Sequence, residues 1–355
     1  MLPQWWTDHF EVPVSNEDKT HRRHYSHVIT VSHGVAWGVY TESQGSGRTV
    51  PRVCSLNFSL NTSGSPSLAT HPIPGPWDSY DNPYPDVYTL VLGTTPGCVW
   101  ALVSYHHMWK GMFFGGVRST ALFRYTLCPE SPQWVQVCDN DSMPAPRSDA
   151  QTLRRSDPSL ACVEGKLILL GGCRLPYHSL EDPKLKKEVE EVESTCHILD
   201  PETETWREVH TPCLGGFRFY PLSVSTVVTG GTILVVSGGR MAGLSLRDPI
   251  GFHKLEVPVS GGVGSYRNTL AAVGIGISDD TDTDTALGGR VMVFGGDCRS
   301  GQTTVSMYDS VSGDILNIAP LEAEESGAVC ACMISTDTLL VIRRGECSKV
   351  SLFTL

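Results

Sequence analysis

Arginines recur at two kinds of position in this sequence, and both kinds suit the binding of anionic groups. One set follows shortly after a pair of glycines and comprises Arg118, Arg174, Arg240 and Arg299. A second set, joined by one tyrosine, stands where apolar runs begin and comprises Arg23, Arg147, Arg218, Tyr220 and Arg267. A guanidinium group pairs a carboxylate or a phosphate through two parallel hydrogen bonds. If the fold brings the two sets together, we expect them to bind an acidic or phosphorylated segment.

Each arginine also has a structural alternative, because a guanidinium group after a glycine pair can bridge carbonyls or a carboxylate of a neighbouring element. The net charge of −11 favours a functional cluster, since several cations together stand out on an acidic chain. The same acidic balance argues against nucleic acids and anionic membranes as partners. A protein partner is therefore predicted.

Metal-binding and catalytic motifs are weak elsewhere in the sequence. The pair His106 and His107 and the pair Cys330 and Cys332 lack the ligand spacing of structural zinc sites. The alternation of Cys330 and Cys332 predicts instead that both thiols pack against a neighbouring element. The acidic run 279–284 lacks the glycine and final glutamate of a calcium-binding loop. No Gly-x-Ser-x-Gly motif marks a serine nucleophile, and we predict no cofactor or metal.

The elements that must position the arginines are repeated strands. Residues 165–172 read Gly-Lys-Leu-Ile-Leu-Leu-Gly-Gly, a short apolar run closed by paired glycines. Such a run predicts a buried strand that ends at a tight bend. Related runs stand at 110–116, 231–239, 289–296 and 337–345. The recurrence predicts a repeat protein.

Each repeat carries further strand signals on both sides of this run. Earlier apolar runs lie at 88–92, 160–163, 222–228, 269–277 and 328–334. After the glycines a third run ends near a turn, and an outer run often starts with tryptophan, as Trp206 does six residues after Asp200. Four antiparallel strands in a repeat of about 50 residues predict a propeller blade.

The double glycine, followed by an aspartate and then by a tryptophan six residues on, resembles the kelch repeat. The resemblance covers nearly the whole chain and is strongest in the second, third and fifth repeats. It implies a β-propeller in which both sets of arginines lie around one mouth. In kelch propellers this face commonly binds an acidic peptide or a loop of a partner protein.

The two ends of the chain predict how the ring closes. Residues 349–355 read as a third strand with no fourth strand after them. Residues 4–12, which include Trp5 and Trp6, can supply the missing outer strand, and this would remove two exposed strand edges. The resulting count is six blades. A seventh blade would require the first or second repeat to be split.

The predicted fold class is therefore an all-β, six-bladed kelch-type β-propeller with four antiparallel strands per blade, closed by the N-terminal strand. One domain spans 1–355. Its predicted segments are 1–14 (outer strand of the last blade), 21–80 (blade 1), 81–146 (blade 2), 147–217 (blade 3), 218–265 (blade 4), 266–323 (blade 5) and 324–355 (blade 6). Two insertions interrupt them, a short helix within 179–194 and an acidic loop at 278–287.

The composition and the cysteines indicate the structural class and the cellular location of the protein. A hydrophobic content of 40% with 35 glycines and 23 prolines fits an all-β chain with many turns. Several of the 12 cysteines lie in apolar runs, and the first ten residues lack a signal-peptide pattern. These features predict a reducing, cytoplasmic location. No apolar run reaches the roughly 20 residues of a membrane-spanning helix.

These features predict a non-catalytic protein–protein interaction scaffold, a subunit of a larger complex that binds a partner segment at the arginine-lined mouth. Two alternatives stay open. One is a small-molecule, sugar-type isomerase or lyase that uses the propeller channel, because some kelch-like propellers act on sugars and arginine is available here. The tyrosine and histidine ligands of the copper-oxidase type are not found. The other alternative is a structural assembly component held by its lateral surfaces.

Overall fold

A computed structural model gives the fold. It describes residues 7–11, 23–32, 34–44, 48–58, 67–73, 87–106, 117–127, 132–139, 159–171, 195–210, 224–229, 232–237, 240–245, 252–253, 271–275, 290–297, 302–309, 314–318, 329–335, 337–343 and 349–354. Every regular element within these ranges is a β-strand. The all-β prediction is therefore confirmed for the described residues.

The strands follow one another along the chain as short apolar runs separated by turns or longer connections. They are β1 (Thr7–Glu11), β2 (Arg23–Ser32), β3 (Val35–Gln44), β4 (Arg48–Asn57), β5 (Ser67–His71), β6 (Val87–Thr95), β7 (Cys98–His106), β8 (Val117–Thr126), β9 (Trp134–Asp139), β10 (Ser159–Val163), β11 (Lys166–Leu170), β12 (Thr195–Asp200), β13 (Thr205–His210), β14 (Val224–Thr229), β15 (Thr232–Ser237), β16 (Arg240–Ser245), β17 (Phe252–His253), β18 (Ala271–Ile275), β19 (Arg290–Asp297), β20 (Gln302–Asp309), β21 (Ile315–Ile318), β22 (Val329–Met333), β23 (Thr338–Arg343) and β24 (Lys349–Thr354).

Among the described residues these strands form six sheets of four strands each. Sheets 1 to 5 each take four consecutive strands: β2–β5, β6–β9, β10–β13, β14–β17 and β18–β21. Sheet 6 combines β22, β23 and β24 with the N-terminal strand β1. Strand β1 runs antiparallel to β24, with Thr7 opposite Phe353 and Glu11 opposite Lys349. The two ends of the chain thus share one sheet, although Trp5 and Trp6 lie outside the described residues.

Continuous runs of buried apolar residues explain why inner segments form strands with two covered faces. In β11 the residues Leu167 to Leu170 are all buried, as expected for a strand inside a stack of sheets. The hairpin between β10 and β11 turns at Glu164 and Gly165, which have φ values of 50° and 73°. Glycine adopts this left-handed conformation without the steric cost that a Cβ brings. The predicted strand at 165–172 therefore begins at a tight turn.

The chain divides into two compact units. Unit 1 comprises Met1–Glu42, Val53–His71 and Leu222–Leu355, and unit 2 comprises Ser43–Arg52 and Pro72–Pro221. Within unit 1, sheet 4 packs on sheet 5, sheet 5 on sheet 6, and sheet 6 on sheet 1. Within unit 2, sheet 2 packs on sheet 3. Apolar faces of successive sheets thus cover one another inside each unit.

The core between sheets 1 and 6 joins residues from the two ends of the chain. It contains Tyr40 and Leu56 of sheet 1 with Cys330, Cys332 and Leu340 of sheet 6. The backbone also connects the two sheets, since the Gly34 amide donates to the Ile334 carbonyl at 2.7 Å. The prediction that the alternating cysteines Cys330 and Cys332 pack against a neighbouring element is confirmed.

The core of unit 2 lies between sheets 2 and 3. Trp100, Leu102 and Leu122 of sheet 2 pack against Leu160, Leu167, Leu169 and Leu199 of sheet 3. The two sheets approach closely at Gly93, where an added Cβ would lie 2.9 Å from Leu160 Cβ. A tryptophan of the repeat pattern, Trp134, begins the outer strand of sheet 2. Its ring packs on Tyr125 with 5.2 Å between ring centroids.

One predicted strand assignment is wrong. The second strand of sheet 2 is Cys98–His106, which pairs with β6 on one side and β8 on the other. Residues 110–116, predicted as this strand from their glycine pair, fall between β7 and β8 and outside the described residues. In sheet 5 the glycine pair lies within β19, because Gly295 and Gly296 stand opposite Thr304 and Thr303. A glycine pair therefore does not always end the second strand.

Two further predictions fall on residues that the structure does not describe. These are the helix within 179–194 and the acidic loop 278–287. In chain order they lie between β11 and β12 and between β18 and β19. Within the described part of the chain, no helix has the length and apolarity needed to cross a bilayer.

Candidate functional site

The two ends of each sheet differ in the residues that they carry. We define the entry end of a sheet as the end at which its first and third strands begin, and the turn end as the opposite end. Because neighbouring strands are antiparallel, the second and fourth strands finish at the entry end. Both predicted sets of arginines were placed where first strands begin or second strands end, which corresponds to the entry end.

Three of the predicted site residues lie in described strands, each at an entry end. Arg23 is the first residue of β2 and stands opposite Glu42. Arg240 is the first residue of β16 and stands opposite Ser237. Arg118 is the second residue of β8. The other predicted site residues lie outside the described residues: Arg147, Arg174, Arg218, Tyr220, Arg267 and Arg299.

Arg118 occupies a β-bulge. Tyr105 stands opposite Ser119, and His106 stands opposite Val117, so Arg118 has no residue directly across from it in the ladder. A bulge inserts one extra residue, bends the strand and redirects side chains, and bulges are frequent beside functional sites. The sequence placed Arg118 after a glycine pair but carried no signal for this irregularity, because a bulge is set by the pairing of two strands.

Entry ends also carry acidic groups and histidines that the sequence prediction did not include. In unit 1, Glu42 lies two residues before the end of β3, Asp297 ends β19 and Glu11 ends β1. In unit 2, His106 and His210 end β7 and β13. Each unit therefore combines arginine with proton-transfer groups at its entry ends. The strand order could have revealed these residues. In each sheet the last residues of the second and fourth strands lie at the same end as the first residues of the first and third strands.

A buried polar layer adjoins the core of unit 2 on its entry side. Ser104, Thr120 and His197 are the buried polar side chains among the described residues, with 1%, 1% and 3% of their surface exposed. Ser104 and Thr120 stand opposite each other, two residues toward the entry end from the core residues Leu102 and Leu122. Buried polar groups need hydrogen-bonding partners, so such a layer orients side chains more strictly than an apolar core does.

His197 connects this layer to solvent through Glu208. The two residues are cross-strand partners on β12 and β13, and His197 Nε2 lies 3.8 Å from Glu208 Oε2. The carboxylate retains 35% of its surface exposed while the imidazole is almost fully buried. The pair therefore places a partly exposed carboxylate beside a buried imidazole at the entry side of unit 2.

No metal-binding cluster is found among the described residues, and burial suppresses the reactivity of one thiol, that of Cys162. No three histidine, cysteine, aspartate or glutamate side chains among them come together in a way that could hold a metal ion. Seven described cysteines are reduced: Cys54, Cys98, Cys138, Cys162, Cys196, Cys330 and Cys332. Burial raises the pKa of Cys162 to about 11, although a hydrogen bond with the Gly165 backbone opposes the shift. This thiol is therefore protonated and unreactive at neutral pH.

No protein-family model matches this sequence, and no curated protein matches it. Solved structures do match. A Hadza microbial sialidase is 12% identical with a TM-score of 0.54, and the match covers 98% of this chain and 68% of the sialidase. A Trypanosoma rangeli sialidase in complex with the inhibitor DANA is 8% identical with a TM-score of 0.56, covering 99% and 60%. A fungal alcohol oxidase of the AA5 family, in complex with copper, is 12% identical with a TM-score of 0.50, covering 100% and 76%.

These comparisons show that the chain has a β-propeller fold, because the sialidases that it resembles are β-propellers. They also correct one functional prediction. The prediction of a non-catalytic interaction scaffold is contradicted, since the similar solved structures named above are two sialidases and an oxidase, which are enzymes. At identities of 8–12% the likeness itself establishes the fold alone, and the chain spans 60% of the Trypanosoma rangeli sialidase.

Proposed function

We propose that this chain is a sugar-acting propeller enzyme whose entry-end arginines bind the carboxylate of an acidic sugar. The substrate class is taken from the sialidases that share the fold. The sequence leaves a sugar-type isomerase or lyase open as an alternative to the scaffold, because arginine is available for such a site. A carboxylated sugar offers the anionic group that a guanidinium fork pairs best.

The observation that carries the proposal is the coincidence of arginine and carboxylate positions at the entry ends of unit 1. Arg23 and Arg240 begin the first strand of sheet 1 and the third strand of sheet 4. Glu42 stands directly opposite Arg23, and Asp297 ends the second strand of sheet 5. Arginine would bind the sugar carboxylate, and a strand-end carboxylate would exchange the proton at the reacting bond. Glycoside hydrolysis requires such a proton-transfer group beside the bond that breaks.

We further propose that the six sheets are the six blades of one closed, kelch-type propeller with the segments predicted from the sequence. Two observations within unit 1 support closure: β1 completes sheet 6, and sheet 1 packs directly on sheet 6. Removing residues 1–14 would expose the β24 edge and its row of unpaired backbone groups. The truncated chain should therefore melt at a lower temperature and aggregate more readily than the full chain. An unchanged melting temperature would contradict the closure proposal.

The proposed function is tested by comparing the turnover of acidic and neutral sugars. The purified full chain is assayed with fluorogenic glycosides of sialic acid and glucuronic acid, and with the corresponding glucoside and galactoside. We expect release of the fluorophore from an acidic glycoside only, and loss of that turnover when the sugar carboxylate is converted to its methyl ester. Turnover that is equal for neutral and acidic glycosides, or absent from the whole panel, would contradict the proposal. The cytoplasmic location and the absence of nucleic-acid and membrane partners stay predictions.

A further inference from the structure

Sheet 1 brings a serine hydroxyl and an imidazole into hydrogen-bonding contact. Ser55 lies on β4 and His71 ends β5. Ser55 stands opposite Ala69 and Val53 stands opposite His71, so Ser55 and His71 are diagonal neighbours on one face of the sheet. Ser55 Oγ lies 2.8 Å from His71 Nε2. This distance is within the range that a nucleophile and its general base require.

The His71 ring is held in place by an aromatic neighbour. It stacks on Trp37 with 4.3 Å between ring centroids and 17° between ring planes. Trp37 itself is 3% exposed and belongs to β3 of the same sheet, which lies on the other side of β4 from His71. Stacking against a buried indole limits rotation of the imidazole and keeps Nε2 directed at Ser55. An activated serine also needs a third group that orients its base, and Trp37 is that group here.

The protonation state of His71 suits a base. Burial lowers the pKa of His71 from its ordinary value of 6.5. The imidazole is therefore neutral at pH 7, and its Nε2 atom can accept the Ser55 proton. Both Ser55 and His71 remain partly exposed, so a small reactant can reach the hydroxyl.

We propose that Ser55 is a nucleophile, with His71 as its general base, toward esters of short acyl groups. This activity goes beyond the proposed sugar chemistry and does not depend on it, since none of its residues is an entry-end arginine. The sequence does not indicate this activity, because Ser55 does not lie in a Gly-x-Ser-x-Gly motif. Ser55 and His71 come from different strands, and only their pairing brings the two side chains together.

The proposed reaction balances without any added cofactor. Ser55 Oγ attacks the ester carbonyl carbon while its proton moves to His71 Nε2. The bond to the alcohol oxygen then breaks, and the imidazolium returns the proton to the leaving alcohol. In the second half, water gives a proton to His71 and attacks the acyl carbon. The bond from that carbon to Ser55 Oγ then breaks, and the imidazolium returns the proton to Ser55 Oγ as the carboxylic acid leaves.

The test uses a fluorophosphonate probe, which reacts with activated serines and stays attached. The purified full chain is labelled, digested and analysed by mass spectrometry for an adduct on Ser55. We expect a Ser55 adduct in the native protein, none in Ser55→Ala, and at least a tenfold lower labelling rate in His71→Gln, which keeps a hydrogen-bond acceptor but not a base. Ser67→Ala removes an exposed serine from the same strand as His71 and should label like the native protein.

A pH profile keeps the proposal testable even where His71→Gln fails to fold. In the native protein the labelling rate should rise as pH increases through the lowered pKa of His71 and should be level above about pH 7.5, since the base is then fully deprotonated. Heat-denatured protein should show no Ser55 adduct. The proposal is overturned if Ser55 is unlabelled in the folded protein, or if its labelling rate rises steadily to pH 9 as hydroxide-driven reactions do. Neither outcome bears on the turnover of acidic glycosides, so the two proposals fail separately.

Discussion

The entry ends and the turn ends of the sheets use their residues differently. At the turn ends the described hairpins are short and rely on local turn chemistry, as between β10 and β11 or between β12 and β13. At the entry ends the chain makes many of its longer connections, including 72–86, 140–158 and 172–194, and begins strands with Arg23 and Arg240. Loops gathered at one end of a rigid scaffold are the usual carriers of function.

We expect stability and activity to depend on opposite ends of the sheets. The core between sheets 2 and 3 is apolar toward the turn end, where Leu199 and Leu167 lie, and gains its polar layer of Ser104, Thr120 and His197 toward the entry end. Substitutions at turn ends and in the apolar core should therefore reduce stability and leave activity unchanged. Substitutions of entry-end arginines should do the reverse.

The largest stability effect is expected for Leu199→Ala. Leu199 is 1% exposed in the core between sheets 2 and 3, so the truncation leaves a cavity. Large-to-small changes of this kind lower the free energy of unfolding by about 2–5 kcal/mol. Chemical denaturation measures the loss, and Arg207→Ala, an exposed change on the next strand, is the control. A loss below about 1 kcal/mol would show that this core contributes less than its burial implies.

A smaller effect is expected for Gly165→Ala. Gly165 has a φ of 73°, and an alanine there would hold its Cβ against the following carbonyl oxygen. The left-handed conformation costs an L-residue about 1–2 kcal/mol. The neighbouring change Glu164→Gly is the control, because Glu164 already has a φ of 50° and glycine relieves that cost. Denaturation curves should show a loss for the first variant only, and a matching loss in both would contradict the turn assignment.

Asp200→Ala should cost about 1 kcal/mol, because it removes side-chain hydrogen bonds within a turn. Asp200 Oδ1 accepts from the Glu202 amide at 3.0 Å and from the Thr203 amide at 3.3 Å. Asp200→Asn keeps an acceptor oxygen and should retain most of the stability. Thermal melting of the two variants distinguishes the outcomes. Equal melting temperatures for alanine and asparagine would mean that the hydrogen bonds contribute little.

Arg290→Ala should have the smallest effect. Arg290 Nε lies 3.5 Å from Asp309 Oδ2 at the turn end of sheet 5, but 63% of the arginine side chain is exposed. Exposed pairs of this kind typically contribute about 0.2–1 kcal/mol and are weakened by salt. At both low and high salt, the melting temperature of this variant should stay close to that of the native protein. A large loss would show that turn-end arginines stabilise the sheets as strongly as core residues do.

Much of the turn-end structure could be predicted from the sequence, and little of the entry-end structure. The turn at Gly165 and the turn after Asp200 depend on a few adjacent residues whose chemistry is local. The glycine pair at 115–116 misled the strand assignment because the second strand, Cys98–His106, ends before it. The Arg118 bulge, the Glu42 partner of Arg23 and the contact between Ser55 and His71 all depend on strand register. Register joins residues far apart in sequence, so local patterns do not reveal it.

The proposed role of the entry-end arginines is tested by comparing Arg240→Ala with Arg290→Ala. Both variants lose one arginine from unit 1, but one comes from an entry end and the other from a turn end. A hydrogen bond to a charged group contributes about 1.5–3 kcal/mol, which corresponds to a fall in kcat/KM of roughly tenfold to a hundredfold. We predict this fall for Arg240→Ala on an acidic glycoside, with unchanged melting temperature, and native kcat/KM for Arg290→Ala. Equal activities for the two variants, or unfolding of Arg240→Ala, would contradict the account.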